Sequence, residues 1–165
     1  MDFIPDDHDE LTVPYFEDAK SSLGIIGHAT QRSERELKVE IERAMGHLGA
    51  NVTLFQAGKY GDRYGYRIEF SWAGGKGRID VAALPLRKET SSRISQAKRH
   101  ALYSVMNRIE SQFNSQLVMP GDMPLVPYMM NEQGKTLIEA MREQGQLPAL
   151  PEPDQDAVDG EWEEK

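Results

Sequence analysis

With 165 residues, 19 Lys+Arg against 27 Asp+Glu and no cysteine, the chain has the size of one small domain with one core, and it excludes disulfides, thiolate metal sites and cysteine nucleophiles. No stretch approaches the roughly 18 apolar residues of a membrane span, and residues 1–20 lack the basic and apolar runs of an export signal. The expectation is therefore a soluble protein of a reducing compartment, the cytoplasm. Its charge is sorted by position: residues 59–108 hold eleven Lys+Arg against four acids, whereas residues 1–20 and 151–165 each hold seven acids against one lysine. A basic middle between acidic ends suits a protein that handles nucleic acid, because acidic segments compete with phosphate for the same surface.

The first element in chain order is an amphipathic helix over residues 30–48. Leu37, Ile41, Ala44, Met45 and Leu48 fall at three- and four-residue spacing, with charged residues opposite. Ser33 followed by Glu36 fits a capping box, Thr30 being the alternative cap, and Gly49 suits the left-handed residue that ends a helix. A short strand over 51–55 and a loop containing Gly58 and Gly61 follow. Then Tyr64, Tyr66, Ile68, Phe70 and Trp72 alternate with polar residues, the pattern of a half-buried strand.

Gly74-Gly75 reads as a two-residue hairpin turn. It predicts that Ile68 pairs with Val81, and it sets Glu69 opposite Asp80. A second helix runs from about residue 91 to 113, with Ile94, Ala97, Ala101, Leu102, Val105, Met106 and Ile109 as its buried stripe. Residues 117–130, rich in proline, read as an extended apolar strap. A turn over 131–134 opens a short helix, 136–144, that docks through Leu137, Ile138 and Met141.

These elements predict an α+β fold: a two-layer helix-strand-strand-strand-helix domain, with a three-stranded antiparallel sheet and both helices on one face. The expected segments are an acidic, mostly disordered stretch (1–29), the core domain (30–116), the strap and short helix packed on it (117–150) and an acidic disordered tail (151–165).

Leu84-Pro85-Leu86-Arg87, Lys98-Arg99-His100-Ala101-Leu102, Gly134-Lys135-Thr136-Leu137 and Gln146-Leu147-Pro148-Ala149-Leu150 together resemble a group of small uncharacterised bacteriophage and prophage proteins over residues 31–150. The resemblance implies a phage or phage-derived gene, acting in the host cytoplasm, and no catalytic residues. The Pro120-Gly121-Asp122-Met123-Pro124 insertion departs from the spacing of that group.

Gly134-Lys135-Thr136 has the end of a phosphate-loop pattern, but the first glycine of that pattern would fall on Met129; a turn and helix start is the simpler reading. Gly74-Gly75-Lys76-Gly77-Arg78 reads as a hairpin tip. Glu69 and Asp80, facing each other in the predicted register, are a candidate divalent-metal pair. The element order is similar to the opening of the restriction-type nuclease core, whose third strand carries a lysine two residues after its acid; here that position is Ala82. Salt bridges to Arg67 and Arg78 are the alternative use of the two carboxylates. His8, His28, His47 and His100 form no relay or zinc spacing and read as surface or boundary residues.

The basic residues Arg67, Lys76, Arg78, Arg87, Lys88, Arg93, Lys98 and Arg99 are the candidate nucleic-acid-binding set. Tyr60 is the one aromatic placed outside the core for stacking. The element order also occurs in double-stranded RNA-binding domains, without their lysine cluster.

The functional expectation is a non-catalytic accessory in phage DNA replication, recombination or host takeover. It would bind single-stranded or duplex nucleic acid through backbone phosphates, with little sequence preference and no cofactor or metal. The tail, with Trp162, would screen the basic patch or recruit a protein partner. Two alternatives stay open: a protein-interaction adaptor using the strap, and a degenerate metal-dependent nuclease-like domain.

Overall fold

The computed structural model describes residues 13–20, 24–147 and 150. Helix α1 (Glu34–His47) precedes strands β1 (Asn51–Tyr60), β2 (Arg63–Trp72) and β3 (Gly75–Ala82), which form one antiparallel sheet in the order β1-β2-β3. Helix α2 (Ser91–Val118), a 3-10 turn (Val126–Tyr128) and helix α3 (Leu137–Glu143) follow. The fold is α+β, as the periodicities predict.

Helices α1 and α2 lie side by side over one sheet face. Leu37, Ile41 and Met45 from α1, Tyr66, Ile68 and Phe70 from β2, and Leu102, Met106 and Ile109 from α2 close into a single core. Each helix begins as its cap residue dictates. The Ser33 hydroxyl accepts the Glu36 N–H at 3.1 Å, and Thr90 accepts the Arg93 N–H at 3.2 Å, each satisfying one of the orphan donors of a first turn. Gly49, at φ +82°, follows the last turn of α1.

The strands depart from expectation in two ways. First, β1 continues to Tyr60, because Gly58 and Lys59 stay paired with Gly65 and Tyr64 and only Gly61-Asp62 is left to turn. A bulge at Thr53, between the Val52 and Leu54 pairings, resets the alternation so that Val52 and Phe55 both meet the core.

Second, the β2–β3 turn is Ala73-Gly74, at φ +50° and +78°, and not Gly74-Gly75. The register therefore slips by two: Ile68 pairs with Ile79, Arg67 with Asp80 and Glu69 with Arg78. A slip of two leaves every side chain on its predicted face. The cost is one alanine in the left-handed region, roughly 1 kcal/mol. Against it, the predicted register sets Glu69 against Asp80, like against like, whereas the observed one makes two opposite-charge pairs worth roughly 0.2–1 kcal/mol each. It also places Gly77 under the Phe70 ring, where an added Cβ would lie 2.2 Å from Phe70 Cζ.

Past the core the chain again differs from the simplest reading. Residues 114–118 hold no helix breaker, so α2 runs on to Val118 and ends before Pro120. At 28 residues it spans about 42 Å, longer than the sheet, and its last turn protrudes with Leu117 68% and Val118 77% exposed. Only the second half of the expected strap docks. Leu125 is buried, and Met129 bridges Gly77 at the free edge of β3 while the Met130 N–H donates to the Lys76 carbonyl at 2.9 Å. Thr136 caps α3, whose Ile138 is half-buried and whose Leu137 is exposed.

The N-terminal stretch is not without structure where it is described. Phe16–Asp18 forms a 3-10 turn held by the Phe16 N–H to the Pro85 carbonyl at 2.9 Å. Residues 1–12 and the acidic tail 151–165, with Trp162, lie outside the described residues.

Candidate nucleic-acid interface

The eight predicted basic residues do not form one patch. Arg67 and Arg78 stand on the open face of the sheet, opposite the helices, and converge on Asp80. Arg67 Nε reaches one carboxylate oxygen at 2.9 Å and Arg78 Nε the other at 3.0 Å. Tyr60 adds its hydroxyl, donating to Asp80 Oδ1 at 2.8 Å, and its ring covers Gly65, where a Cβ would stand 2.8 Å from the ring. Arg78 also donates to the Gly134 carbonyl at 3.0 Å and pairs with Glu139 of α3, which leaves its side chain 13% exposed.

Burial works to raise the Asp80 carboxyl. The hydrogen bonds from Arg67 and Tyr60 and the charges of both arginines outweigh it and hold the group below its ordinary value. Burial and the Asp80 carboxylate push the Tyr60 hydroxyl up to about 12. Tyr60 is thus a structural clamp and not an exposed stacking platform.

This geometry also corrects the metal reading. Glu69 faces Arg78 across the strands and not Asp80, and both Asp80 oxygens accept from protein donors. Among the described residues no group of three or more His, Asp or Glu side chains could hold a metal ion. The Gly134 segment is a turn in which Asn131 Oδ1 accepts the N–H groups of Gln133 and Lys135, and Lys135 pairs with Glu143 at 2.6 Å. A cavity of about 510 Å³ lies between the open face and α3, lined by Tyr60, Arg63, Arg78, Asp80, Ile138 and Glu139 among others.

Arg87 and Arg93 flank the start of α2 and meet the N-terminal acids. Arg93 Nη1 binds Glu17 at 3.1 Å, and Arg87 Nη2 binds Asp18 at 2.6 Å while its guanidinium covers the Tyr15 ring. Burial works to raise the Glu17 carboxyl, and the N–H groups of residues 17, 87 and 88 with the Arg93 charge outweigh it and lower it. Arg99 is half-buried, with its Nε enclosed. His100, expected at the surface, is buried beneath Phe16, whose ring centroid is 6.2 Å away; burial lowers its pKa. Lys76 sits at the hairpin end opposite Ser71, and Lys88 is exposed.

The helix side of the sheet carries an arrangement that the sequence reading missed. Three lysines from three elements lie over one row of aromatic rings. Lys38 of α1 stands 5.9 Å from the Phe55 centroid and 5.1 Å from that of Tyr66. Lys59 of β1 and Lys98 of α2 bracket Tyr64 at 4.4 and 5.7 Å. None of the three makes an ion pair among the described residues. Lys59 pairs directly across from Tyr64, and alternation puts Phe55, Ala57 and Lys59 on one face, which the Thr53 bulge turns toward the helices along with Val52. The alternation Phe55, Ala57, Lys59 was the available signal, hidden because β1 was expected to stop at Phe55.

The chain matches no family model, no curated protein and no solved structure.

Proposed function

We propose that this domain binds nucleic acid through backbone phosphates, without catalysis, and that the lysine row over Phe55, Tyr66 and Tyr64 is its contact surface. The observation that carries the reading is the sorting of cations. The arginines of the open face and of the α2 start are engaged by carboxylates. Among the described residues Lys38, Lys59 and Lys98 are held only by aromatic faces, contacts worth roughly 0.5–1 kcal/mol at exposed sites. A lysine ammonium keeps its remaining donors for a phosphate oxygen, so a strand laid along the row gains charge neutralisation without breaking an ion pair. Such binding releases counterions and carries little sequence information. The setting, a phage or prophage accessory factor, follows from the resemblance over residues 31–150.

Fluorescence anisotropy with labelled single-stranded DNA, duplex DNA and duplex RNA tests the reading. Micromolar or tighter binding that weakens steeply between low and physiological salt is the expected result; no binding to any of the three at low salt would overturn it.

One observation favours a second reading. Leu117, Val118, Met119 and Met123 form an exposed apolar cluster at the protruding end of α2, the kind of surface a protein adaptor would use. Absence of nucleic-acid binding would leave that surface as the functional one.

A further inference from the structure

We infer that the turn at Arg87 and Lys88 is a phosphate site which the chain's own Glu17 occupies, so that the Tyr15 to Asp18 segment competes in cis with nucleic acid; this rests on the nucleic-acid reading above. Glu17 is held as an oxyanion would be. Its Oε1 accepts the Arg87 N–H at 3.1 Å, the Lys88 N–H at 3.2 Å and Arg93 Nη1 at 3.1 Å, and its Oε2 lies 3.2 Å from the Arg87 N–H. Two successive main-chain donors and a guanidinium round one carboxylate are what a non-bridging phosphate oxygen would find. Asp18 on Arg87 Nη2 extends the mimicry to a second anion one residue on.

The turn adjoins the lysine row. Tyr64, bracketed by Lys59 and Lys98, donates to Glu89 at 3.3 Å, so a backbone crossing the row arrives beside Lys88. Apart from the bonds to Glu17 and Asp18, the segment keeps the Phe16 N–H to Pro85, the Phe16 ring over His100 and against the Ala83, Ala97 and Ala101 cluster, and the Tyr15 ring under Arg87. If the segment is docked in about ten of eleven molecules, the apparent affinity for nucleic acid is reduced about tenfold.

The test compares Glu17→Ala with Glu110→Ala, which removes the same charge about 25 Å along α2 from Arg93, in anisotropy titrations of labelled duplex DNA at low and physiological salt. Glu17→Ala should bind about tenfold tighter than the wild type and Glu110→Ala less than twofold tighter, the gap following from release of a docked competitor. In parallel, hydrogen exchange at the Phe16 amide of the wild type should accelerate when saturating duplex DNA is added, because its bond to Pro85 opens with the segment. Should Glu17→Ala fail to fold by circular dichroism, that exchange measurement decides alone. Wild-type binding with no advantage for Glu17→Ala over Glu110→Ala, or with an unchanged Phe16 exchange rate, overturns the competitor and leaves the nucleic-acid reading standing. No binding by any of the three proteins at low salt overturns both.

Discussion

The two faces of the sheet treat their cations differently. On the open face, Arg67 and Arg78 are spent on Asp80, with Tyr60 as a third donor and Glu139 as a second acid; the group is a cross-linked polar layer between β1, β2, β3 and α3. On the helix side, Lys38, Lys59 and Lys98 rest on rings and make no ion pair among the described residues. A planar guanidinium fork suits fixed bidentate bonding and a lysine suits point-charge contact with phosphate. The difference teaches that counting positive charge along a sequence does not count available charge.

The comparison breaks most visibly at Asp80. Replacing it with alanine strands Arg67, leaves Arg78, whose side chain is 13% exposed, with only Glu139 and the Gly134 carbonyl, and leaves Tyr60 only the Tyr66 carbonyl as acceptor. Urea denaturation should show a loss of about 2–3 kcal/mol, below the cost of breaking a fully buried pair because this network is partly hydrated. Replacing Lys38, Lys59 or Lys98 with alanine should each cost no more than about 1 kcal/mol, the worth of the ring contacts. Equal losses on both sides would erase the distinction.

Titration sharpens it with a smaller effect. The folded Asp80 carboxyl lies below its ordinary 3.8, so its contribution is complete above that pH and is lost as pH falls from there through the folded value. His100, depressed below its ordinary 6.5 by burial, has the same sign: stability is full above about 6.5 and declines as pH drops, because the unfolded chain takes up the proton first. Thermal melts should fall in two stages with acidification. Asp80→Ala should weaken the lower stage, to which the lowered Glu17 carboxyl also contributes, and keep the upper.

The boundary between what the residues announced and what they concealed follows the range of the interaction. Helix α1 was legible because its signals, the Ser33 cap, the three- and four-residue apolar spacing and Gly49, all lie within one segment. The faces of β2 and β3 were legible from alternation alone. Their register was not, since Ala73-Gly74 and Gly74-Gly75 are both plausible turns and the choice rests on cross-strand partners. The ends of β1 and α2 were undershot for a related reason: Gly58 looked like a loop until Gly65 paired with it, and nothing local after Phe113 stopped the helix.

The candidate interface was least legible of all. Arg78 meets Glu139 across 61 positions, Arg87 meets Asp18 across 69, and Arg93 meets Glu17 across 76. Composition supplied the charges, and only the fold decided which of them were already neutralised. Of the eight predicted basic residues, only Lys98 belongs to the lysine row. Lys38 entered it from a helix judged by its apolar stripe.

The central claim is that the lysine row, and not the arginine layer, contacts phosphate. It is tested most directly by the salt dependence of duplex DNA binding for the wild type, for Lys38→Ala/Lys59→Ala/Lys98→Ala and for Arg67→Ala. If three phosphate contacts are removed, the slope of log affinity against log salt should become shallower by about 3 for the triple variant, at roughly 0.9 per contact, and stay unchanged for Arg67→Ala. A triple variant that keeps the wild-type slope, or an Arg67→Ala variant that loses it, would contradict the account.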